Sequence, residues 1–143
     1  MRALLVLLGL MGCDASVDGP WQGFSIHPVV EAGGTTMPHQ GHDTPLQVGP
    51  AALDGSCVAE AEVGSDPFGS GFIEATLTDD CKARFADFSE QNVGRKIALV
   101  VDGEVLSAPI VQERIDGGEI AMSLGGESTP EEAAALLARL SGK

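Results

Sequence analysis

Aromatic residues are scarce in this sequence of 143 residues. Tyrosine is absent, and there are one tryptophan and five phenylalanines. A core with so few rings has to be filled mainly by Val, Ile, Leu and Ala, and the overall apolar content of 43% is that of a globular protein. A chain of this length can form a single domain that is stable without metal ions.

Basic residues are also few. Lys and Arg together number 8 against 21 Asp and Glu, which gives a formal net charge of −13. A field of that sign repels phosphate backbones and anionic lipid surfaces, so we expect no nucleic-acid partner. The acidic residues are spread along the chain, and we expect most of them to be solvated surface residues.

No apolar run is long enough to span a bilayer. The stretch Ala3–Gly12 has ten residues, about half of what a spanning helix needs. It follows Arg2 and is typical of a secretory signal peptide. Leu10-Met11-Gly12-Cys13 resembles a bacterial lipobox. We therefore predict a lipoprotein signal peptide over residues 1–12 and lipidation of Cys13; the alternative is a buried N-terminal strand.

The segment after Cys13 predicts a linker. Residues 13–23 are mostly polar and contain Gly19-Pro20, a composition typical of a tether between a lipid anchor and a folded domain. On this interpretation the domain begins at residue 24 and continues to residue 143.

Several short segments predict β-structure. Alternation of apolar and polar residues predicts strands over 57–65 and 71–77, which together suggest a hairpin with a long loop. Upstream, the pattern predicts a strand over 24–32, a loop rich in Gly and Pro over 33–45 and a single helical turn over 50–54.

Two helices are indicated by their capping residues. Thr78 can cap the first, with Asp79 and Asp80 placed near the positive end of the helix dipole. Thr129 can cap the second, with a proline in the first helical position and Glu132 completing a capping box.

Two cysteines remain once Cys13 is assigned to the lipid. In an exported chain, Cys57 and Cys81 predict one disulfide, which would close a loop of roughly 25 residues. Cys81 shares the inward-facing stripe of the first predicted helix with Phe85 and Phe88, so it could reach the end of a strand beneath that helix. The alternative is two buried free thiols.

A second hairpin lies between the predicted helices. Val101-Asp102-Gly103-Glu104 is a strong hairpin signal, because a type I′ turn needs positive φ at both central residues. Pro109 cannot donate a backbone hydrogen bond, so it indicates a strand edge or a bulge. We expect Ile97, Leu99 and Val101 to face the helices and Val105 to join them from the partner strand.

The order of elements over residues 57–141 is ββα, ββ, βα. This order predicts an α+β fold, namely a single domain in which a largely antiparallel sheet carries two helices packed on one face.

The second half of the chain resembles the first periplasmic domain of SecD-type protein-export membrane proteins, and more narrowly its head subdomain. The best-matching part is 71–141, and residues 24–70 match only loosely. The matching pieces occur in the family's order and at similar spacing: Leu77-Thr78, Phe85, Asn92-Val93-Gly94-Arg95, Val101-Asp102-Gly103, Ser107-Ala108-Pro109, Ile115 with Gly117-Gly118, and Thr129 with Glu132-Ala133.

The resemblance implies an extracytoplasmic domain that contacts polypeptide. From the residues themselves we expect no enzymatic activity and no cofactor. In the family this subdomain moves as a membrane-embedded part uses the proton gradient. This chain has no transmembrane segment with the carboxylates that such coupling needs, so a passive contact surface is what the resemblance implies here. Together with the predicted lipobox it places the chain in the cell envelope, facing the periplasm or the exterior, with the choice of inner or outer membrane left open.

Potential metal ligands are clustered in one segment of the sequence. His39 and His42, with Asp43 beside them and His27 upstream, are residue types that suit Zn²⁺ or Cu²⁺. The segment is rich in Gly and Pro, and we prefer a solvated loop as its explanation. Nothing in the sequence sets a base beside Ser107 or another serine, so the sequence predicts no catalytic residues.

Two functions from different classes follow. The first is a lipid-anchored adaptor that binds exported polypeptide or components of the Sec translocon, with the edge of the second hairpin as contact surface: Glu104, Ser107, Pro109 and Gln112. The alternative is a metal-binding envelope lipoprotein that uses His27, His39 and His42. A structural envelope protein without a ligand is a third possibility.

Overall fold

The structure, a computed structural model, describes residues 16–124 and 128–142. The predicted signal peptide and Cys13 lie outside these residues. The strands are β1 (Ser16–Asp18), β2 (Phe24–Val30), β3 (Thr35–Met37), β4 (Leu46–Val48), β5 (Leu53–Asp54), β6 (Val58–Ser65), β7 (Gly71–Leu77), β8 (Ile97–Val101), β9 (Glu104–Ser107) and β10 (Glu119–Ser123), and the helices are α1 (Asp79–Gln91) and α2 (Pro130–Leu140).

The strands form two antiparallel sheets. One has four strands in the order β1-β6-β7-β10, and the other has the order β3-β4-β2-β8-β9 with β5 beside β2. The prediction of an α+β domain with two helices and antiparallel strands is confirmed. The division into two sheets was not predicted, because it depends on pairings between distant segments such as β2 with β8.

The main core draws apolar side chains from both sheets and both helices. Phe85 of α1, Ile73 of β7 and Leu137 of α2 are at most 1% exposed within it. Helix α2 packs against β6 and β7. Burying one such side chain contributes roughly 1.5–3 kcal/mol, so the two helices and the four-stranded sheet stabilise one another. Neither described helix has the length and apolar character to span a bilayer.

Strand β8 is buried on both of its faces. Ile97 and Leu99 pack into the main core as expected. Val105 does not join them, because it lies opposite Val100 across β8 and β9. Both residues pack in a smaller cluster with Ala98. The expected position of Val105 is therefore wrong, and its side chain faces away from the main core.

Both helices begin where their caps predict. The Thr78 hydroxyl accepts a hydrogen bond from Cys81 N at 3.4 Å, and α1 begins at the next residue. At α2, the Thr129 hydroxyl accepts from Glu132 N at 3.1 Å while the Glu132 carboxylate accepts from Thr129 N at 3.0 Å. This reciprocal pair is the predicted capping box.

The folded domain begins earlier than predicted. Strand β1 pairs with β6, with Ser16 opposite Glu62. Trp21 is 4% exposed and packs edge-to-face on Phe24 with 4.9 Å between ring centroids. The predicted tether over 13–23 is therefore wrong beyond residue 15, because β6 has an edge that the polar segment can pair with.

Two local predictions between β2 and β6 are also corrected. The predicted loop over 33–45 contains β3, which pairs with β4. The predicted helical turn over 50–54 is replaced by β5 and by a 3₁₀ turn, Gly55–Cys57. The Gly55 carbonyl accepts from Trp21 N at 3.0 Å, and a Cβ atom at Gly55 would lie 2.0 Å from the Trp21 carbonyl oxygen. Only glycine allows this close approach.

Cys57 and Cys81 are joined in the structure by a disulfide, with 5.5 Å between their Cα atoms. Both residues are buried. Cys57 directly precedes β6, and Cys81 lies in the first turn of α1. Of the two alternatives given by the sequence, the structure contains the cross-link, and it ties the start of β6 to the helix.

Candidate functional site

The turn between β8 and β9 is built as predicted and is held from two sides. Asp102 and Gly103 have φ angles of 51° and 82°, as a type I′ turn requires. Asp102 N donates to the Gly23 carbonyl at 2.7 Å. The Asp102 carboxylate lies 3.4 Å from Arg139 Nη2. The turn is thus connected to helix α2, which lies beside it.

The outer edge of β9, which the sequence predicts as a contact surface for another chain, is paired at Val105 with residues 38–40. Val105 N donates to the Pro38 carbonyl at 2.8 Å, and Gln40 N donates to the Val105 carbonyl at 2.9 Å. His39 therefore lies parallel to Val105 as an isolated bridge. The expectation that another chain adds to this edge is corrected at Val105, because a segment of the same chain already occupies both backbone groups.

The strand irregularity predicted near Pro109 is a bulge at Leu106, three residues earlier. The pairing of β8 with β9 shifts in register between Leu99 and Val100. Beyond this shift the Pro109 carbonyl accepts from Ile97 N at 3.0 Å, and Val111 N donates to the Arg95 carbonyl at 2.9 Å. The bulge allows the chain to continue alongside the segment that leads into β8.

The four predicted contact residues do not all line the same groove. Glu104, Pro109 and Gln112 are exposed, and Ser107 is half-buried. Of the four, Glu104 lines a groove between β9 and α2, and the other three are not among the residues that line it. The remaining part of the groove was not predicted from the sequence.

This hairpin–helix groove has a volume of about 620 Å³. Its apolar lining includes Leu106 of β9, Leu136 of α2 and Leu124, which follows β10. Ala135 on α2 is exposed, and its small side chain leaves the groove open. The full lining is Gln40, Val101, Glu104, Leu106, Leu124, Ser128, Glu132, Ala135, Leu136 and Arg139.

Charged groups surround the apolar lining. Glu104 and Glu132 carry negative charge, and Arg139 carries positive charge. Two of these three are already engaged in the fold, because Glu132 completes the cap of α2 and Arg139 pairs with Asp102. The groove therefore offers apolar surface with a mixed polar rim, which suits an apolar side chain carried by a hydrogen-bonding backbone.

His27 has a structural role. It is 9% exposed, and its Nδ1 lies 2.8 Å from the Gly49 carbonyl oxygen. A carbonyl only accepts, so Nδ1 carries the proton, and Nε2 can accept from the Ser25 hydroxyl at 2.7 Å. Both ring nitrogens are used inside the fold and are not available to a metal ion.

His39 and His42 are stacked on each other, with 3.9 Å between ring centroids and 18° between ring planes. Burial lowers the pKa of His39, with smaller contributions in the same direction from His42 and Lys96. Within residues 16–124 and 128–142, no group of three or more His, Cys, Asp or Glu side chains is arranged to hold a metal ion. The metal-binding alternative is therefore not favoured.

The outer face of the four-stranded sheet is acidic. Glu62 lies opposite Glu74 across β6 and β7, and these two line a shallow cleft with Glu60 and Glu119. Like charges in opposite positions are destabilising. This face repels anionic partners.

Comparison with protein families gives one match that covers most of the chain. A family described as "SecDF, P1 head subdomain" matches residues 35–142. Among curated relatives, the protein translocase subunit SecD of Sebaldella termitidis is 39% identical over 85 residues, which are 59% of this chain and 20% of that protein. The protein translocase subunit SecDF of Thermus thermophilus is 35% identical over 89 residues, which are 62% of this chain and 12% of that protein.

Solved structures show the same fold. A membrane component SecDF that enhances protein export superposes with a TM-score of 0.68 at 26% identity, covering 85% of this chain and 63% of that chain. SecDF in its super-membrane-facing form superposes with a TM-score of 0.67 at 25% identity, covering 97% of this chain and 21% of that one. The present chain thus spans a fifth or less of the length of the two curated relatives.

Proposed function

Because this chain belongs to the SecDF P1 head subdomain family, we propose that it is a non-enzymatic, lipid-anchored adaptor that contacts polypeptide outside the cytoplasm. The occupants of its contact surface are exported chains or periplasmic segments of the Sec translocon. The hairpin–helix groove is the observation that carries this proposal, since it combines an apolar lining with a polar rim.

The groove suits weak binding of an extended segment. A volume of about 620 Å³ is in the range of small-ligand sites, roughly 300–1,000 Å³, and can hold a few side chains. The apolar lining gives affinity for many sequences without selecting one, because the hydrophobic effect is not directional.

The relatives support the same class of role. The two curated relatives are named as protein translocase subunits, and one of the solved structures is described as a component that enhances protein export. The head subdomain of those proteins is one part of a much longer chain. The adaptor role that we propose here needs only the contact surface and an anchor.

The anchor is supported by the sequence around Cys13 and by the early start of the sheet. Leu10-Met11-Gly12-Cys13 has the lipobox pattern. Only Asp14 and Ala15 separate Cys13 from β1. A diacylated Cys13 would therefore keep the domain close to the membrane surface, where exported polypeptides emerge.

Site-specific photo-crosslinking in cells tests the contact surface. A photoreactive residue in place of Ala135 or Glu104 is expected to capture translocon subunits or several exported proteins. Ala83 on α1 is also an exposed helical alanine and provides the matched control, which should capture little. A photoreactive residue at Gln112 tests the segment after Pro109. Capture from Gln112 but not from Ala135 or Glu104 would place the contact on that segment instead of in the groove. No capture at any of these positions would contradict the adaptor role.

Lipidation makes a separate prediction. The change Cys13→Ser is expected to abolish labelling of the protein by radioactive palmitate and to release it from the membrane fraction after cell lysis. Palmitate labelling that persists in the variant would show that the lipid is attached elsewhere.

A further inference from the structure

One large apolar side chain is presented to solvent at the tip of the β6–β7 hairpin. Phe68 is 92% exposed, in a chain with few aromatic residues. Its turn is well ordered by hydrogen bonds, since one Asp66 carboxylate oxygen accepts from Phe68 N at 2.8 Å and from Ser70 N at 2.9 Å. Gly69 N donates to the Asp66 carbonyl at 2.9 Å. The fold therefore holds the ring outward instead of burying it.

The direction of β1 connects this tip to the predicted anchor. Strand β1 is antiparallel to β6, with Asp18 opposite Glu60 and Ser16 opposite Glu62. Because β6 runs from Val58 towards the tip, the N-terminal end of β1 is the end nearer to Phe68. The chain thus enters the sheet from the side of the tip.

The length of chain before β1 limits how far the membrane can be. Cys13 precedes Ser16 by three residues, and three residues span at most about 11 Å when fully extended. The tip begins at Asp66, four positions beyond the Glu62 that faces Ser16, which is roughly 13 Å along a strand. A lipid on Cys13 and the ring of Phe68 can therefore reach the same membrane surface.

We propose that Phe68 inserts into the lipid interface beside the acylated Cys13, so that the β6–β7 tip is a second membrane contact that orients the domain. This inference rests on the proposed lipid anchor. An aromatic ring is well suited to the interfacial region of a bilayer. The anchor supplies a high local concentration of lipid, so one side chain is sufficient.

The acidic residues near the β6–β7 tip disfavour contact with anionic lipids. The loop between β6 and β7 carries one carboxylate, Asp66, and no basic residue, and the neighbouring sheet face carries Glu62 and Glu74. Attraction to anionic headgroups therefore cannot hold the tip in place. Contact has to come from apolar insertion into a largely zwitterionic surface.

Fluorescence quenching by lipids tests this contact on the full lipidated protein. The parent protein has a single tryptophan, Trp21, which is buried, and its fluorescence is the background against which each added tryptophan is measured. Two variants each add one tryptophan, Phe68→Trp at the tip and Gly117→Trp at the far end of the same sheet, just before β10. A Cβ atom at Gly117 would meet nothing within 4 Å, so this control is tolerated sterically.

Both variants are reconstituted into zwitterionic phosphatidylcholine and phosphatidylethanolamine vesicles with brominated acyl chains, and mass spectrometry establishes the state of Cys13. We expect the fluorescence of the tryptophan at position 68 to be strongly quenched by the brominated lipids and shifted to shorter wavelength. The fluorescence of the tryptophan at position 117 should be the same in brominated and unbrominated vesicles. Unquenched emission at position 68 in diacylated protein would overturn the inference while leaving the anchor intact. Equal quenching at both positions would also overturn it. An unmodified Cys13 would remove the anchor and this inference together.

Discussion

Replacing Cys57 and Cys81 by alanine is expected to lower the free energy of unfolding by about 3 kcal/mol. The cross-link spans 24 residues, and in the chain-entropy model its main effect is to restrict the unfolded chain. The loop that it closes contains all of β6 and β7, which supply much of the surface on which α2 packs. The loss of the cross-link should therefore weaken the whole domain rather than one end of it.

Thermal and urea denaturation of the double variant measure this effect. For a domain of this size a loss of about 3 kcal/mol corresponds to a fall in Tm of roughly 10 °C. Reduction of the parent protein should give the same fall and should have no effect on the variant, which serves as the control. Equal midpoints for the parent under oxidising and reducing conditions would mean that the bond contributes nothing to stability.

Filling the hairpin–helix groove is expected to abolish polypeptide capture without unfolding the protein. In Ala135→Trp, the indole ring would lie over the apolar lining formed by Leu106 and Leu136. A bound segment would lose the burial of about one apolar side chain, which is worth roughly 1.5–3 kcal/mol. We therefore expect photo-crosslinking from Glu104 to fall by about tenfold or more.

The matched control is Ala83→Trp on α1, which adds the same side chain to an exposed helical position outside the groove. It should leave capture unchanged. Circular dichroism and Tm should be close to those of the parent for both variants, because neither alanine is buried. An equal loss of capture in both variants would indicate a general effect of the added tryptophan rather than a contact in the groove.

The features predicted correctly from the sequence are those that depend on a few neighbouring residues. Thr78 and Thr129 cap their helices through bonds within one turn, and the Asp102-Gly103 turn needs only its own two φ angles. The Cys57–Cys81 pairing follows from a helix stripe and the end of an adjacent strand. The caps and the turn depend on interactions within a short segment. The disulfide could be predicted because only two cysteines remain once Cys13 is assigned to the lipid.

The features that were missed depend on contacts between distant segments. The edge of β9 is occupied by residues 38–40, more than sixty positions earlier, and nothing in either segment alone indicates this pairing. The mostly polar composition of residues 13–23 predicts a tether, although backbone pairing of β1 with β6 does not require apolar side chains. The orientation of Val105 depends on its pairing with Val100, which the alternation within a single strand does not reveal.

The groove could be predicted only in part. The sequence predicts Glu104 as part of the edge of the second hairpin, whereas Leu106, Leu124 and Ala135 come from three separate parts of the chain. A useful signal was present in α2, where Ala135 is a small exposed residue next to the buried Leu136 and Leu137. A small exposed residue at this position indicates a groove only if β9 is known to lie beside α2.

The most direct test of the adaptor role is an NMR titration of the protein in nanodiscs with an unfolded polypeptide. A reduced and carbamidomethylated secretory protein, which cannot refold, serves as the probe, and backbone amide shifts are measured as its concentration rises. The proposed function predicts shifts that are concentrated at Leu106, Leu124, Ala135 and their neighbours in the groove. An absence of shifts up to millimolar probe, or shifts confined to residues outside the groove, would contradict it.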